Sequence, residues 1–270
     1  MSDLPKILYK YRSFDLDEYH IRVIQDGALW FTSACSFNDP FDSSLQFSFE
    51  DNPMGIRRKW VNMYLKRTQP QLSRAARRRL VSQRLREMKK PDHLERFKHE
   101  HVLRNYKEFG MCCLTPKKDN LLMWAHYGSN HEGFCVGLDN LKLKEFREEL
   151  AYRDILITQE KIRYEKSMPQ INFYSAALED GWYEKIMELL CTKSTHWKYE
   201  EEYRLIYWHK VDISIPLDPD IFAEVVLGCR ISKKNQSMII DKVKNLNPKI
   251  KIYQAIKAES DFKLLFEYVA

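Results

Sequence analysis

The sequence predicts an α+β fold with a mixed or mainly antiparallel central sheet, flanking helices and a basic helical insertion. Short apolar runs of strand length recur along the chain, other stretches show helical spacing, and positive charge is concentrated in one segment. With 270 residues, of which 44% are hydrophobic, the chain can bury a substantial core. We expect one α+β domain, 1–270, with 56–107 as the insertion.

The individual elements follow from the spacing of apolar residues and from turn and cap residues. Strands are predicted at 7–12, 28–33, 109–114, 134–138, 161–164, 203–208, 224–227 and 249–256. Helices are predicted at 18–26, before Gly27, at 172–193, and from an N-cap at Ser232 to about Asn245. The helix at 172–193 is expected to be the longest one outside the insertion.

The insertion carries the positive charge of the protein. Residues 56–107 contain 17 Lys or Arg and 4 Asp or Glu, a balance of +13, whereas 27 basic and 34 acidic residues elsewhere give −7. Pro70 and Ser73 indicate a helix start, and Pro91 indicates a stop. Four apolar residues at helical spacing should pack this segment: Leu72, Leu80, Leu85 and Met88.

An arginine-rich helical face can neutralise the phosphates of a nucleic acid or bind an acidic partner. The candidate residues for such contacts, with a nucleotide or a nucleic acid, are Arg74, Arg77, Arg78 and Arg84. The alternative is a solvated helix whose arginines contribute only solubility, because neither interleaved aromatics nor a known DNA-binding motif accompanies them.

Targeting and cysteine patterns indicate a cytoplasmic protein without a membrane partner. Residues 1–17 lack the apolar core of a signal peptide, and no window approaches the ~18 apolar residues of a membrane span. The six cysteines form no C-x-x-C pair, so free thiols are expected and a structural zinc site of the ribbon type is not.

The segment 122–139 concentrates aromatics, two histidines and two glycines, and it predicts a helix end, a tight turn and a strand start. Loops on a rigid scaffold often carry reacting groups. His126 and His131 are candidate catalytic residues, since histidine titrates near neutrality, and Trp124 and Tyr127 are candidate binding residues. Alternatively, both histidines are hydrogen-bonded structural residues.

A second polar cluster follows the strand at 28–33. Ser33, Asn38 and Asp39 are candidate binding residues that would project from the strand end into a cleft. Turn formation alone also explains the pattern, because the Asn-Asp-Pro sequence at 38–40 favours a turn.

The third cluster, 193–204, contains three consecutive glutamates between basic residues. A strand beginning near Glu200 would place Glu200, Glu202 and Arg204 on one face. In a cleft, a carboxylate held by Arg204 and Lys193 could act as a general base or stabilise a cation. On a surface, the same residues would only be solvated.

These motifs together resemble a bacterial family known as domain of unknown function 2971. The resemblance rests on LYKYRS (8–13), GALWF (27–31), FNDPF (37–41), MWAHY (123–127), HEGF (131–134) and WKYEEEYR (197–204). It implies a single-domain intracellular bacterial protein and brings no established catalytic residues. The insertion contains none of these motifs.

The order Arg12, Thr32-Ser33 and Glu200-x-Glu202 also resembles the arginine-serine-glutamate pattern of ADP-ribosyltransferases. That resemblance implies NAD as a possible cofactor or substrate. Arg12 would then bind the dinucleotide phosphates, Ser33 would orient the ribose, and Glu202 would stabilise the oxocarbenium-like charge.

Three functional hypotheses remain. The first is an enzyme acting on NAD or a nucleotide, in which Arg12, Asn38, His126 and Glu202 line one concave site with Trp124 in its wall. The second is a nucleic-acid-binding or interaction module that uses the insertion. The third, ranked below both, is a metal-dependent hydrolase using His126, His131 and Asp39. We predict no metal site, because the histidine spacing differs from that of helical metal pairs.

Overall fold

The computed structural model describes residues 4–14, 19–43, 47–48, 54–90, 92, 96, 108–178 and 182–270. The chain forms two compact units, each built from separated segments. The first unit comprises Met1–Ser36, Glu108–Tyr164 and Thr195–Ala270, and the second comprises Phe37–Lys107 and Glu165–Ser194. The helices among these described residues include none with the length and apolar character to cross a membrane.

The strands and helices have the following bounds. The strands are β1 (Ile7–Arg12), β2 (Ala28–Ser33), β3 (Phe47–Ser48), β4 (Phe109–Leu114), β5 (Phe134–Asp139), β6 (Ile157–Lys161), β7 (Arg163–Glu165), β8 (Ile171–Asn172), β9 (Thr192–Ser194), β10 (Tyr203–Trp208), β11 (Ile213–Pro216), β12 (Phe222–Leu227), β13 (Lys251–Lys257) and β14 (Leu264–Tyr268). The α-helices are α1 (Arg22–Gln25), α2 (Met54–Thr68), α3 (Arg74–Glu87), α4 (Leu121–Tyr127), α5 (Asn140–Ala151), α6 (Phe173–Ala176), α7 (Trp182–Leu190) and α8 (Lys233–Leu246).

Two five-stranded sheets form the first unit. Sheet I has the order β1-β5-β12-β13-β14, and its pairs are antiparallel except for the parallel pair β12 and β13, which α8 connects. Sheet II has the order β11-β2-β4-β10-β6 and is antiparallel throughout. The α+β class and the mixed and antiparallel pairing are therefore confirmed, and the strands expected in one central sheet are divided between two.

The main hydrophobic core gathers side chains from both sheets and from α1, α5 and α8, including Leu8, Phe31, Phe134, Leu205 and Ile239. A second apolar cluster covers the opposite face of sheet I. It contains Tyr9, Tyr11, Cys135 and the α4 residues Met123 and Trp124. Sheet I is thus buried on both faces, which explains why β5 and β12 are almost continuously apolar.

The second unit contains α2, α3, α6 and α7, with a short parallel pairing of β3 and β8. Its aromatic cluster is centred on Trp60, whose ring centre lies 5.6 Å from that of Phe173 and 5.4 Å from that of Tyr174. The predicted insertion belongs to this unit, as do 37–55 and 165–194. The helical character expected for the insertion is confirmed over α2 and α3, whereas Pro91 and 97–107 lie outside the described residues.

Helix α3 begins where the sequence indicates. The Ser73 side chain accepts a hydrogen bond from the Ala76 backbone N–H at 3.2 Å, which makes Ser73 its N-cap. Of the four residues expected to pack the segment, Met88 is buried, whereas the leucines at 72, 80 and 85 are half-buried. Val81, which was not among the four, is also buried.

Two predicted elements were wrong in extent. The helix expected at 172–193 is interrupted: α6 ends at Ala176, α7 ends at Leu190, and 192–194 form β9. The 14-residue α8 is longer than either helix. The strand expected at 161–164 is two strands separated by Ile162, and Glu18 of the first predicted helix lies outside the described residues.

Candidate functional site

The histidine-rich motif forms the predicted helix end, tight turn and strand start. Asn120 is the N-cap of α4, and its side chain accepts hydrogen bonds from the backbone N–H groups of Leu122 and Met123 at 2.9 and 3.2 Å. The helix ends at Gly128, and β5 begins at Phe134. The intervening turn is therefore held between two regular elements of the first unit.

This turn has a strained backbone. Ser129, Asn130 and His131 have consecutive positive φ angles of 49°, 51° and 70°, and each such residue other than glycine carries an energetic cost. At Gly133 a Cβ atom would collide with the carbonyl oxygen of Arg12. Strained backbone of this kind clusters at functional sites, so Ser129, Asn130 and His131 form a candidate site.

His131 is half-buried within the turn. Its ring stacks on Trp124, with 6.3 Å between ring centres and 13° between planes. Its Nδ1 atom is buried and has no hydrogen-bond partner among the described residues. Burial, reinforced by the positive charge of Arg230, lowers the pKa of His131 below its usual value.

Trp124 belongs to the core beneath the turn. It is fully buried, its Nε1 donates to the Lys118 carbonyl oxygen at 2.8 Å, and Tyr11 packs against it edge-on at 5.0 Å. A ligand at the protein surface therefore does not contact this ring in the observed conformation. The observed contacts orient α4 on sheet I.

Two predicted site residues from distant parts of the chain meet at Tyr127 and Glu200. The Tyr127 hydroxyl donates to Glu200 Oε1 at 2.7 Å, and Glu200 is buried. Nearby, the exposed His126 ring lies 6.2 Å from the Tyr199 ring. The end of α4 thus packs against the 3-10 helix Thr195–Glu200.

Glu202 and Arg204 form a buried ion pair. Arg204 Nε donates to Glu202 Oε1 at 2.8 Å, and the side chains are 0% and 3% exposed. The prediction that Glu200, Glu202 and Arg204 share one face of a strand is correct for Glu202 and Arg204 but wrong for Glu200. The reason is local: β10 starts at Tyr203, and Glu201 has a φ of 45°, which breaks the extended backbone before Glu202.

Arg12 lies on the other face of sheet I from His126. Arg12 is paired with Phe134, and strand alternation places its side chain with Leu8 in the direction of the main core. Helix α4, which carries His126, covers the face formed by Tyr11. The structure does not bring Arg12 and His126 together, as the single-cleft hypothesis requires.

Ser33 and Glu202 are also separated. Ser33 pairs with Gly110, which pairs on its other side with Tyr207, four residues along β10 from Tyr203. At about 3.3 Å per residue, Tyr203 lies roughly 13 Å from this pair along the sheet, and Glu202 is one residue further away. The Ser33 backbone N–H instead donates to the Asp212 carboxylate at 3.3 Å.

The remaining predicted residues lie in the second unit. Asn38 is exposed, and the buried Asp39 accepts the Phe41 backbone N–H at 2.9 Å, which is the expected turn. Buried Lys193 donates to Asp42 at 3.3 Å. Asp42 was not a predicted site residue, although its position after the Asn-Asp-Pro turn could have indicated it.

One further candidate region, the end of sheet I at which β12 terminates, was not predicted from the sequence. Gly228 follows β12, and a Cβ atom there would collide with the His131 carbonyl oxygen. The backbone N–H groups of Gly228 and Arg230 donate to Gly133 and His131, each at 2.9 Å. Helix α8 then starts at Ser232, so its N-terminus, the strained turn and the end of β1 share one edge.

In the described part of the chain, no group of three or more His, Cys, Asp or Glu side chains is arranged to hold a metal ion. The metal-dependent hydrolase hypothesis, which needs His126, His131 and Asp39 together, gains no support from these residues.

Comparison with known proteins gives one match. A family described as "Protein of unknown function (DUF2971)" matches residues 123–205, which include most of α4, the strained turn and the Glu200–Arg204 segment. No curated protein and no solved structure matches the chain. The match supports the resemblance predicted from the motifs, and it covers residues 123–205 of this chain.

Proposed function

We propose that the first unit binds a phosphate-bearing ligand of the nucleotide class at the edge of sheet I where β1 and β12 end. The observation that carries the proposal is the placement of Arg12 and the α8 N-terminus at one edge and on one face of this sheet. Arg12 ends β1 beside Phe134, and α8 follows β12, the strand two positions away.

The shared face follows from packing. Ile239 and Val243 of α8 belong to the same core cluster as Leu8 and Phe134, and Arg12 lies on the same face of sheet I as these two residues. Neighbouring strands are about 4.8 Å apart, so β1 and β12 are separated by roughly 10 Å, a distance that an arginine and a phosphate can span together. The parallel pair β12 and β13 also provides the strand ends beside which α/β proteins bind ligands.

The charges at this edge suit a phosphate. The first N–H groups of a helix have no intrahelical acceptor, and the helix dipole favours an anion there. Lys233 and Lys234 begin α8 and are exposed, as is Arg230. Arg230 contacts Glu132 at 3.5 Å, an exposed pair with which a phosphate would compete.

Titration with ADP, NAD and adenosine tests this proposal. ADP and NAD should bind and adenosine should not, and Arg230→Gln should weaken ADP binding by about 10-fold or more, because a hydrogen bond to a charged group contributes about 1.5–3 kcal/mol. Arg153→Gln, an exposed arginine elsewhere in the same unit, is the matched control. If ADP and NAD fail to bind at millimolar concentration, the proposal is wrong.

A more specific version of this proposal is that NAD is a substrate of the protein. Nicotinamide release from NAD by the wild-type protein would support ADP-ribosyl transfer. Its absence, with ADP binding intact, would restrict the function to nucleotide binding or other nucleotide chemistry.

A second candidate function rests on α3. This helix contains six arginines and one acidic residue, and Arg74, Arg78 and Arg84 are exposed, whereas Arg77 is half-buried and donates to the Leu72 carbonyl oxygen at 3.2 Å. A helix with this charge would bind nucleic acid mainly through phosphates, so affinity should fall steeply with salt. A titration with labelled RNA and DNA that shows no binding at low ionic strength would exclude this function.

A further inference from the structure

Three aromatic rings and a carboxylate surround the ammonium group of Lys118. Its Nζ lies 5.1 Å from the ring centres of both Tyr253 and Phe266 and 6.0 Å from that of Tyr9. It also lies 2.8 Å from Glu224 Oε1. Aromatic cages of this kind recognise ammonium groups in ligands, because the ring faces attract a cation that the site desolvates.

The sheet fixes the cage independently of Lys118. Tyr9, Gly137 and Glu224 form one row across β1, β5 and β12, and Tyr253 and Phe266 come from β13 and β14. A Cβ atom at Gly137 would lie 2.9 Å from both the Glu224 and the Tyr9 side chains. Glycine at this position therefore leaves the space in which the carboxylate lies.

Glu224 is held in position independently of the Lys118 ammonium group. It is buried, and the Tyr9 hydroxyl donates to its Oε1 at 2.7 Å. Burial and the neighbouring Glu224 raise the pKa of the Tyr9 phenol, which therefore remains a donor. The carboxylate has acceptor capacity for further N–H donors, and Lys118 now supplies one.

Lys118 is the movable member of the cluster. Its carbonyl oxygen accepts from Trp124 Nε1 at 2.8 Å, and the carbonyl of the preceding Lys117 accepts from the Tyr11 hydroxyl at 2.8 Å. These bonds fix the backbone, whereas the Lys118 side chain is 30% exposed. Rotation of this side chain alone would remove the ammonium from the cage.

We infer that the cage of Tyr9, Glu224, Tyr253 and Phe266 is a binding site for a small protonated primary amine, and that Lys118 is its intramolecular occupant, which such a ligand replaces. The carboxylate determines the ligand class. Glu224 accepts hydrogen bonds, so an ammonium with N–H groups is favoured over a quaternary ammonium, which has none. This site lies on the face of sheet I opposite the proposed phosphate site and does not depend on it.

The experiment uses Lys118→Ala, which removes the atoms that n-propylammonium can replace. Thermal stability and binding are measured with n-propylammonium and tetramethylammonium chlorides at constant ionic strength. Lys118→Ala should bind n-propylammonium at least about 10-fold more tightly than the wild type and gain stability from it, and tetramethylammonium should bind less well. Adding Glu224→Gln to Lys118→Ala should abolish the response.

Lys117→Ala is the matched control, because the Lys117 side chain is 44% exposed and pairs with Glu201 at 3.4 Å outside the cage. If n-propylammonium stabilises Lys118→Ala no more than Lys117→Ala, or if Glu224→Gln leaves the response unchanged, the cage is not an amine site. If Lys118→Ala does not fold, Lys118→Leu removes the ammonium group and the last methylene but retains the stem as far as Cδ. Methylammonium then serves as the probe, with the same two criteria.

Discussion

Replacing Glu202 by Gln tests whether the buried ion pair is essential for the first unit. The substitution keeps the shape of the side chain but removes its charge. Arg204, which is fully buried, would then retain its charge beside a neutral amide. We therefore expect Glu202→Gln to destabilise the fold, even though the two side chains are nearly isosteric.

The expected magnitude follows from burial. Removing one partner of a buried ion pair costs about 3–5 kcal/mol, because the remaining buried charge loses the opposite charge that offset its desolvation. The neighbouring Glu201 provides a matched control, since its side chain is 50% exposed and it pairs with Lys117 at 3.4 Å. Loss of an exposed pair costs about 0–1 kcal/mol, so Glu201→Gln should behave almost as wild type.

Urea unfolding, monitored by hydrogen exchange of the β4 and β10 amides, measures the stability difference between Glu202→Gln and Glu201→Gln. These strands lie beside the ion pair. With a urea m value of about 2.5 kcal/mol per molar, the midpoint for Glu202→Gln should fall by about 1–2 M. Combining Glu202→Leu with Arg204→Met should recover much of the stability, because both charges of the pair are then absent. Equal midpoints for Glu202→Gln and Glu201→Gln would refute the reasoning.

Two further predictions concern the strained turn. Because the pKa of His131 is held below its usual value of 6.5, the unfolded chain binds more protons as the pH falls through that value. Stability should therefore decline on acidification, and a series of melting curves should show a shallower decline for His131→Gln; equal slopes would contradict this role. At Gly228 an alanine should destabilise the protein by about 3 kcal/mol or more, because its Cβ atom would collide with the backbone of the turn. Gly55→Ala in α2, where a Cβ atom would contact nothing, should be neutral or slightly stabilising in the same melting experiment.

Sequence reasoning located the elements that have sharp local signals. The bounds of β1, β2, β4 and β10 match the predicted ranges, because each is a compact apolar run between turn residues. The start of α8 was equally clear, since Ser232 caps it through the Asn235 backbone N–H at 3.2 Å.

Elements without such signals were mistaken or missed. Helix α5 is polar on most of its surface, and only Asp139, which accepts the N–H groups of Leu141 and Lys142, marks its start. The apolar run at 172–193 suggested one helix because periodicity alone does not reveal the end at Ala176.

The candidate site was predicted in its parts rather than in its assembly. The turn around His131 and the pairing of Glu202 with Arg204 depend on neighbours in sequence, so local patterns were sufficient. The contact of Tyr127 with Glu200 and the opposite placement of Arg12 and His126 depend on strand register and on which face a helix covers. Those relations are set by tertiary packing and have no local signature.

The segmented course of the chain has a consequence for synthesis. The second unit has all of its residues once Ser194 has emerged from the ribosome, whereas the first unit lacks β10 to β14 at that stage. Strand β1 can pair with β5 early, but β5 then presents an apolar, unpaired edge until β12 is made. Completion of sheet I thus waits for the C-terminal quarter of the chain, and truncations before β12 should leave an aggregation-prone nascent protein.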